Sequence, residues 1–261
     1  MNNNKPLILI TNDDGIIAKG ISELVKFVRP LGELVVVAPD GPRSGSSSAL
    51  TTLNPIHFEL IRKDVGLTVY RCNGYPVDCI KIARHAILDR EPDLILSGIN
   101  HGDNAGVNVH YSGTMGAVIE GCLNGIPSIG FSLDDHKMNA EFDPIGKCVR
   151  SITAMVLRNG MPVNTCLNVN FPAVSKLKGV KVCVQGNATW SNDWEQCARG
   201  SDKNYYWMSG ECEYKNQEGD GSDYQAMKEG YAAITPVNVD ITAHNYIDKL
   251  ESIVASTFLE D

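Results

Sequence analysis

The sequence predicts an α/β fold built on a largely parallel sheet, and three observations carry that expectation. Short apolar runs such as "LILI" (residues 7–10) and "DLILSGIN" (93–100) have the unbroken hydrophobicity of strands buried on both faces. Stretches of helical periodicity follow several of these runs, so strands alternate with helices as in right-handed βαβ units. Past about residue 160 the pattern breaks, and a polar segment rich in Tyr and Trp replaces the alternation.

Taken in order, Leu7, Ile8, Leu9 and Ile10 form the first strand, ended by the turn formers Asn12, Asp13, Asp14 and Gly15. Ile17, Ile21, Leu24, Val25 and Val28 fall on one helical face, and Pro30 with Gly32 closes that helix. "ELVVVAP" is a second strand, followed by the polar stretch "DGPRSGSSSALTT". Residues 56–61 and 68–72 read as a hairpin around "RKDVG". "VDCIKIARHAIL" is a helix that buries Val77, Ile80, Ala83 and Ile87. The strand "DLILSGIN" runs into a glycine-rich loop, then the helix "TMGAVIEGCLNG", the strand "PSIGFSL" and a helix over 145–158.

"CLNVNF" and "VKVCVQG" still read as strands, whereas residues 187–235 lack helical periodicity and are expected to form an extended hairpin arm or a small β subdomain. "AAITPVNVDIT" returns to the body and "YIDKLESIVASTF" is a terminal helix. The expected division is therefore a catalytic core over 1–186, an arm that mediates oligomerisation over 187–235, and a return strand with the C-terminal helix over 236–261.

Bulk properties exclude several classes. A net charge of −8 and a pI near 5.3 argue against binding a nucleic-acid polymer, though not against a small phosphate ester. No stretch is long or apolar enough to span a bilayer, and the N-terminus lacks a signal-peptide pattern. None of the eight cysteines forms a CxxC pair and several sit inside apolar runs, which suits free thiols in a reducing cytoplasm.

In an open parallel sheet, ligands gather outside the carboxyl ends of the strands. "TNDDG", "APDGPRSGSSS" and "SGINHGDNAG" each follow a strand, so the fold should bring all three to one rim. Two adjacent carboxylates repel each other, and desolvation adds to the cost unless a cation compensates. Alone, Asp13–Asp14 reads as a solvated turn with a helix cap. In company with Ser44, Asn100 and Asn104 it offers hard oxygen donors suited to Mg²⁺ or Mn²⁺. Ser112, Gly113 and Thr114 open a helix, a natural anion site. A cation beside such a cradle suggests hydrolysis of a phosphoryl ester. Neither a GxGxxG fingerprint nor a P-loop is present to suggest another nucleotide chemistry.

"TNDDGI", "VVAPDGPRSGSS", "DCIKIA", "PDLILSGINHGDNAG", "YSGTMGAVIEG", "IPSI" and "ITPVNVDIT" resemble, in this order, segments of the SurE family of survival-protein nucleotidases. The resemblance covers nearly the whole chain except about residues 187–222. It implies a Rossmann-like α/β core sandwiched by helices, with hydrolysis of nucleoside 5′- and 3′-monophosphates. It also implies one divalent cation per subunit, Mg²⁺ or Mn²⁺, and exchange of a hairpin or C-terminal segment into a homodimer or homotetramer.

By the same resemblance the metal ligands fall on Asp13, Asp14, Ser44 and Asn100, with both aspartates also catalytic. The substrate contacts fall on Asn104, Ser112, Gly113 and Thr114. Tyr75, in "GYPVDC", stands where the family has threonine. His101, His110 and Arg43 flank the rim without a role fixed by the pattern. A nucleotide-binding protein without turnover is the rival reading, and retention of both aspartates with Ser44 and Asn100 favours the enzyme. No histidine or third acid is marked out to release an aspartyl-phosphate, so direct attack by water is expected.

Overall fold

A computed structural model of the protein describes residues 5–197, 204–215 and 219–258. Among these residues the chain runs β1 (Leu7–Thr11), α1 (Lys19–Val28), β2 (Glu33–Pro39), β3 (Phe58–Asp64), β4 (Leu67–Cys72), α2 (Pro76–Ile82), β5 (Leu94–His101) and α3 (Gly113–Leu123). It continues through β6 (Ser128–Asp134), α4 (Asp143–Asn159), β7 (Thr165–Pro172), β8 (Val180–Val182), β9 (Ala188–Ser191) and β10 (Trp194–Gln196). The last elements are β11 (Tyr206–Met208), β12 (Glu211–Tyr214), α5 (Asp223–Lys228), β13 (Ala232–Asn238) and α6 (Ile247–Phe258).

Nine of these strands form one sheet in the order β3-β4-β2-β1-β5-β6-β7-β13-β8. The centre is parallel, from β4 across β2, β1, β5 and β6 to β7. Only β3 on β4 and β13 on β7 pair antiparallel. Alternation along β1 explains why that strand is apolar throughout. Ile8 and Ile10 face α1 and α4, packing with Leu24, Phe27 and Val149, whereas Leu7 and Leu9 face α2 and α3, packing with Ile80 and Ala117. Each such side chain contributes about 1.5–3 kcal/mol on burial, and none tolerates a polar substitute.

The expected elements are found, with differences in detail. The strand expected to end at residue 61 runs on to Asp64, so the hairpin turns at Val65 and Gly66 alone. Ile17 lies outside α1 and is exposed, because the chain first makes a turn in which Ala18 N–H donates to Gly15 O; Phe27 takes the buried place instead. The helix after Pro76 tightens its regular part to seven residues, then widens over Ala83–Ile87, where Leu88 N–H reaches Ala83 O. Within 187–235 the paired strands β9–β12 and β10–β11 make the hairpin arm, but Asp223–Lys228 forms a short helix packed against β7 and β13. Six residues are too few to show a helical period, and α5 is started by its cap, Ser222 Oγ accepting from Gln225 N–H at 3.2 Å.

All eight cysteines are free thiols. No helix among the described residues is long and apolar enough to cross a membrane.

Candidate active site

The site lies at the carboxyl ends of β1, β2 and β5, where three loops and the start of α3 converge. Asp13 and Asp14 follow β1 directly. The turn is closed by Asn12, whose Nδ2 donates to Gly15 O at 3.0 Å, and Ile16 N–H bonds to Pro39 O at the end of β2. Arg43 N–H donates to Asp13 O at 2.7 Å, which fastens the serine loop to the aspartates. Asp78 of α2 secures the far end of that loop, accepting from Thr51 Oγ1 at 2.7 Å and from Tyr75 N–H at 2.9 Å. The Tyr75 ring itself packs under the Arg43 guanidinium, 5.7 Å from its centroid.

The two aspartates turn to different surroundings. Asp13 is only 4% exposed, and the Thr114 hydroxyl donates to its Oδ1 at 2.6 Å. Burial pushes its carboxyl up to about 6; the Thr114 bonds oppose the shift and the charge of Asp14 adds to it. Asp14 accepts from His101 N–H at 3.1 Å. Burial raises its carboxyl too, offset by that amide and by the nearby His101 and His136 rings.

Gly113 explains how closely α3 approaches. A Cβ built there would lie 2.5 Å from Ser46 Oγ and 2.9 Å from Asp13 Oδ2, so only a bare Cα lets these groups meet across the helix start. Ser112 caps the helix, its Oγ accepting from Met115 N–H at 3.1 Å, a bond that does not use its O–H. The first-turn amides of α3 have no acceptor within the helix and carry its positive end.

Of the residues singled out from the sequence, Asp13, Ser112, Gly113 and Thr114 form one tight cluster, with Asp14 beside it. Ser44 is exposed on the serine loop next to Arg43, and the serine hydroxyl held against Asp13 and Gly113 is that of Ser46. Spacing within "RSGSSS" carries no signal that separates the two. Asn100 braces its loop, Nδ2 donating to Gly102 O at 2.8 Å. Asn104 is buried in an amide network: its Nδ2 donates to Ser132 Oγ at 2.8 Å and its N–H to Asn170 Oδ1 at 2.7 Å.

Sequence reading also passed over His136, whose ring covers Gly102 and faces Asp14. Its position in the loop after β6, at the same rim, was the available signal.

The donor set fits a hard divalent cation. Ser46 Oγ and Asn12 Oδ1 are buried with no hydrogen-bond partner among the described residues, beside a carboxylate pair held back from ionisation by burial. Buried oxygens in that condition are stabilised by a cation. The described residues hold no cluster of three or more His, Cys, Asp or Glu, so a soft-metal site of zinc type is not built here.

Comparison with known proteins shows what the whole chain resembles. Residues 8–192 match the family model described as survival protein SurE. The chain is 60% identical over 252 residues to a protein of Bacteroides fragilis described as 5′-nucleotidase SurE, covering 97% of this chain and 99% of that one. It is 48% identical over 252 residues to the protein of the same description from Phocaeicola vulgatus, covering 97% and 98% of the two chains. The crystal structure of a SurE protein from Aquifex aeolicus superposes with a TM-score of 0.81 at 35% identity, covering 95% of this chain and 99% of that one.

Proposed function

The chain belongs to the SurE family of survival proteins, and we propose that it is a metal-dependent phosphatase releasing phosphate from nucleoside 5′-monophosphates and also from 3′-monophosphates. The observation that carries this reading is the buried Asp13 carboxyl beside Asp14, facing the positive end of α3 across the bare Cα of Gly113. One carboxylate pair and one anion-binding helix start, side by side, are what a phosphate ester and its cation require.

By the family resemblance Asp13, Asp14, Ser44 and Asn100 would hold one Mg²⁺ or Mn²⁺ per subunit, and the unpartnered Ser46 Oγ and Asn12 Oδ1 lie beside the same aspartates. When bound, the cation supplies Lewis acidity, neutralising phosphoryl charge and making water a stronger acid. Ser112 O–H and the Gly113 amide hold phosphoryl oxygens, and Thr114 fixes the Asp13 carboxylate from the same turn. Asn104 fixes the loop through Ser132, and we assign it a contact with the substrate. Water attacks phosphorus in line, one aspartate orients it, and the nucleoside oxygen leaves with a proton.

The arm and α6 expose apolar surface that suits a homodimer or homotetramer, and the free thiols suit the cytoplasm. Phosphate release from a panel of 5′- and 3′-monophosphates with Mg²⁺ or Mn²⁺, against a chelator, tests the activity. Release that requires the metal is expected, and no release from any monophosphate defeats the reading. Single turnover in ¹⁸O-water tests the route: label in phosphate alone is expected, and label in an Asp13 or Asp14 side chain would establish a covalent intermediate instead.

A further inference from the structure

From Asn168 to Pro172, β7 is buried throughout, yet two of its residues carry amides. Val169 and Phe171 pack in the core shared with α1 and α4. Asn168 and Asn170 alternate with them and so take the opposite face, at positions where a valine or leucine would suit a buried strand better.

Both amides bind the backbone of one residue. Asn170 Oδ1 accepts from Asn104 N–H at 2.7 Å, and Asn168 Nδ2 donates to Asn104 O at 2.7 Å. Between them, Asn170 Nδ2 donates to Asn168 Oδ1 at 2.9 Å, which closes a ring of three hydrogen bonds. A backbone N–H only donates and a carbonyl only accepts, so Asn104 dictates the orientation of both amides. The Asn104 side chain is held separately, by Ser132 Oγ at 2.8 Å. Ser132 is in register with Asn170 on β7 and with Asn100 on β5, so one row of the sheet joins this ring to the rim.

We propose that Asn168 and Asn170 are positioning residues for the reaction, holding Asn104 where it meets the substrate. That role rests on the phosphatase reading for the contact Asn104 makes. Buried hydrogen bonds add little net stability, because each replaces one to water, and two apolar side chains would pack here without needing partners. What the two asparagines add is a fixed place for one residue. The rest of the loop has its own anchors: Ala105 N–H donates to Asp103 Oδ1 and Gly106 N–H to Asp223 Oδ2, both at 3.0 Å. Opening the ring therefore displaces Asn104 while the loop stays tied and the bond from Thr114 to Asp13 is untouched.

A double-variant cycle separates positioning from support of the fold. In metal-loaded protein, kcat and KM for a nucleoside monophosphate are measured for Asn170→Ala, Asn104→Ala and the two combined. Thermal unfolding checks that each is folded, and calorimetry reads Mn²⁺ affinity. Asn170→Ala is expected to lower kcat/KM by about tenfold or more, through KM, with Mn²⁺ affinity unchanged. The combined variant is expected within about twofold of Asn104→Ala, because Asn170 acts only through Asn104. Losses that multiply, wild-type activity in Asn170→Ala, or weakened Mn²⁺ binding overturns the proposal. If Asn170→Ala fails to fold, Asn168→Ala opens the same ring and runs the same cycle. If wild type hydrolyses no monophosphate, the phosphatase reading falls, and the cycle is read instead in calorimetric binding of the intact nucleotide. Wild type that does not bind the nucleotide either overturns the positioning role as well.

Discussion

The rim of the sheet and the C-terminal arm with α6 satisfy their side chains in opposite ways. At the rim, polar groups are closed within one chain: Thr114 on Asp13, His101 N–H on Asp14, Asp78 on Thr51 and Tyr75. What is left over there is polar, raised carboxyls at Asp13 and Asp14 and buried side-chain oxygens without a hydrogen-bond partner among the described residues, those of Ser46 and Asn12 among them. In the arm the remainder is apolar and extensive. Trp194, Trp207 and Met208 are 61%, 68% and 75% exposed, and α6 has no buried residue although Leu250, Ile253 and Val254 share a face. The two regions are thus distinguished by the chemistry of what remains unsatisfied: buried polar oxygens at the rim, which a cation would relieve, and exposed apolar surface in the arm, which a protein partner would cover.

The strongest way to break this contrast is at Asp13. Asp13→Asn keeps the shape and removes the charge, so turnover of a monophosphate should fall at least about 10³-fold, near 4 kcal/mol of transition-state stabilisation. Activity close to wild type at saturating Mn²⁺ would end the assignment of Asp13 to the metal.

Next in size is the dependence of metal-free stability on pH. The folded carboxyl of Asp13 titrates near 6 against an ordinary 3.8, so between those values the folded state holds more protons than the unfolded one. Stability of the chelated protein should therefore rise as pH falls from about 6 to 4, by on the order of 3 kcal/mol from this group. Urea unfolding across that range checks it, and Asp13→Asn should flatten the dependence. A dependence of the same size in the variant would assign it elsewhere.

Thr114→Val is smaller. It removes a 2.6 Å hydrogen bond from a buried carboxyl and should cost about 1–3 kcal/mol of stability, with the pH dependence moved upward. An unchanged unfolding midpoint would mean that the bond adds nothing net.

The smallest effect on the monomer fold should come from α6. Ile253→Asp lies on a helix with no buried residue among those described, so intrachain stability should change by no more than about 0.5 kcal/mol. The oligomer is the sensitive readout: light scattering should show a smaller species at micromolar concentration. A wild-type monomer under the same conditions would refute the proposed assembly, and the contrast between the two regions with it.

Much of this molecule was legible from local pattern. Strands such as Leu7–Thr11, buried on both faces, announce themselves as apolar runs, and amphipathic helices such as α4 through their period, because both signals depend only on neighbours along the chain. The convergence of three loops on one rim followed from the parallel order alone.

Tertiary structure decided what depends on distance across the fold. It turned Asp13 inward to Thr114, 101 residues away, and Asp14 toward His101. It set the Ser46 hydroxyl, from among several serines, against Asp13. It also inserted β13 between β7 and β8. A strand's own residues specify which faces are buried, but not its neighbours in the sheet; those are fixed by packing between segments far apart in sequence, and side-chain convergence is fixed with them.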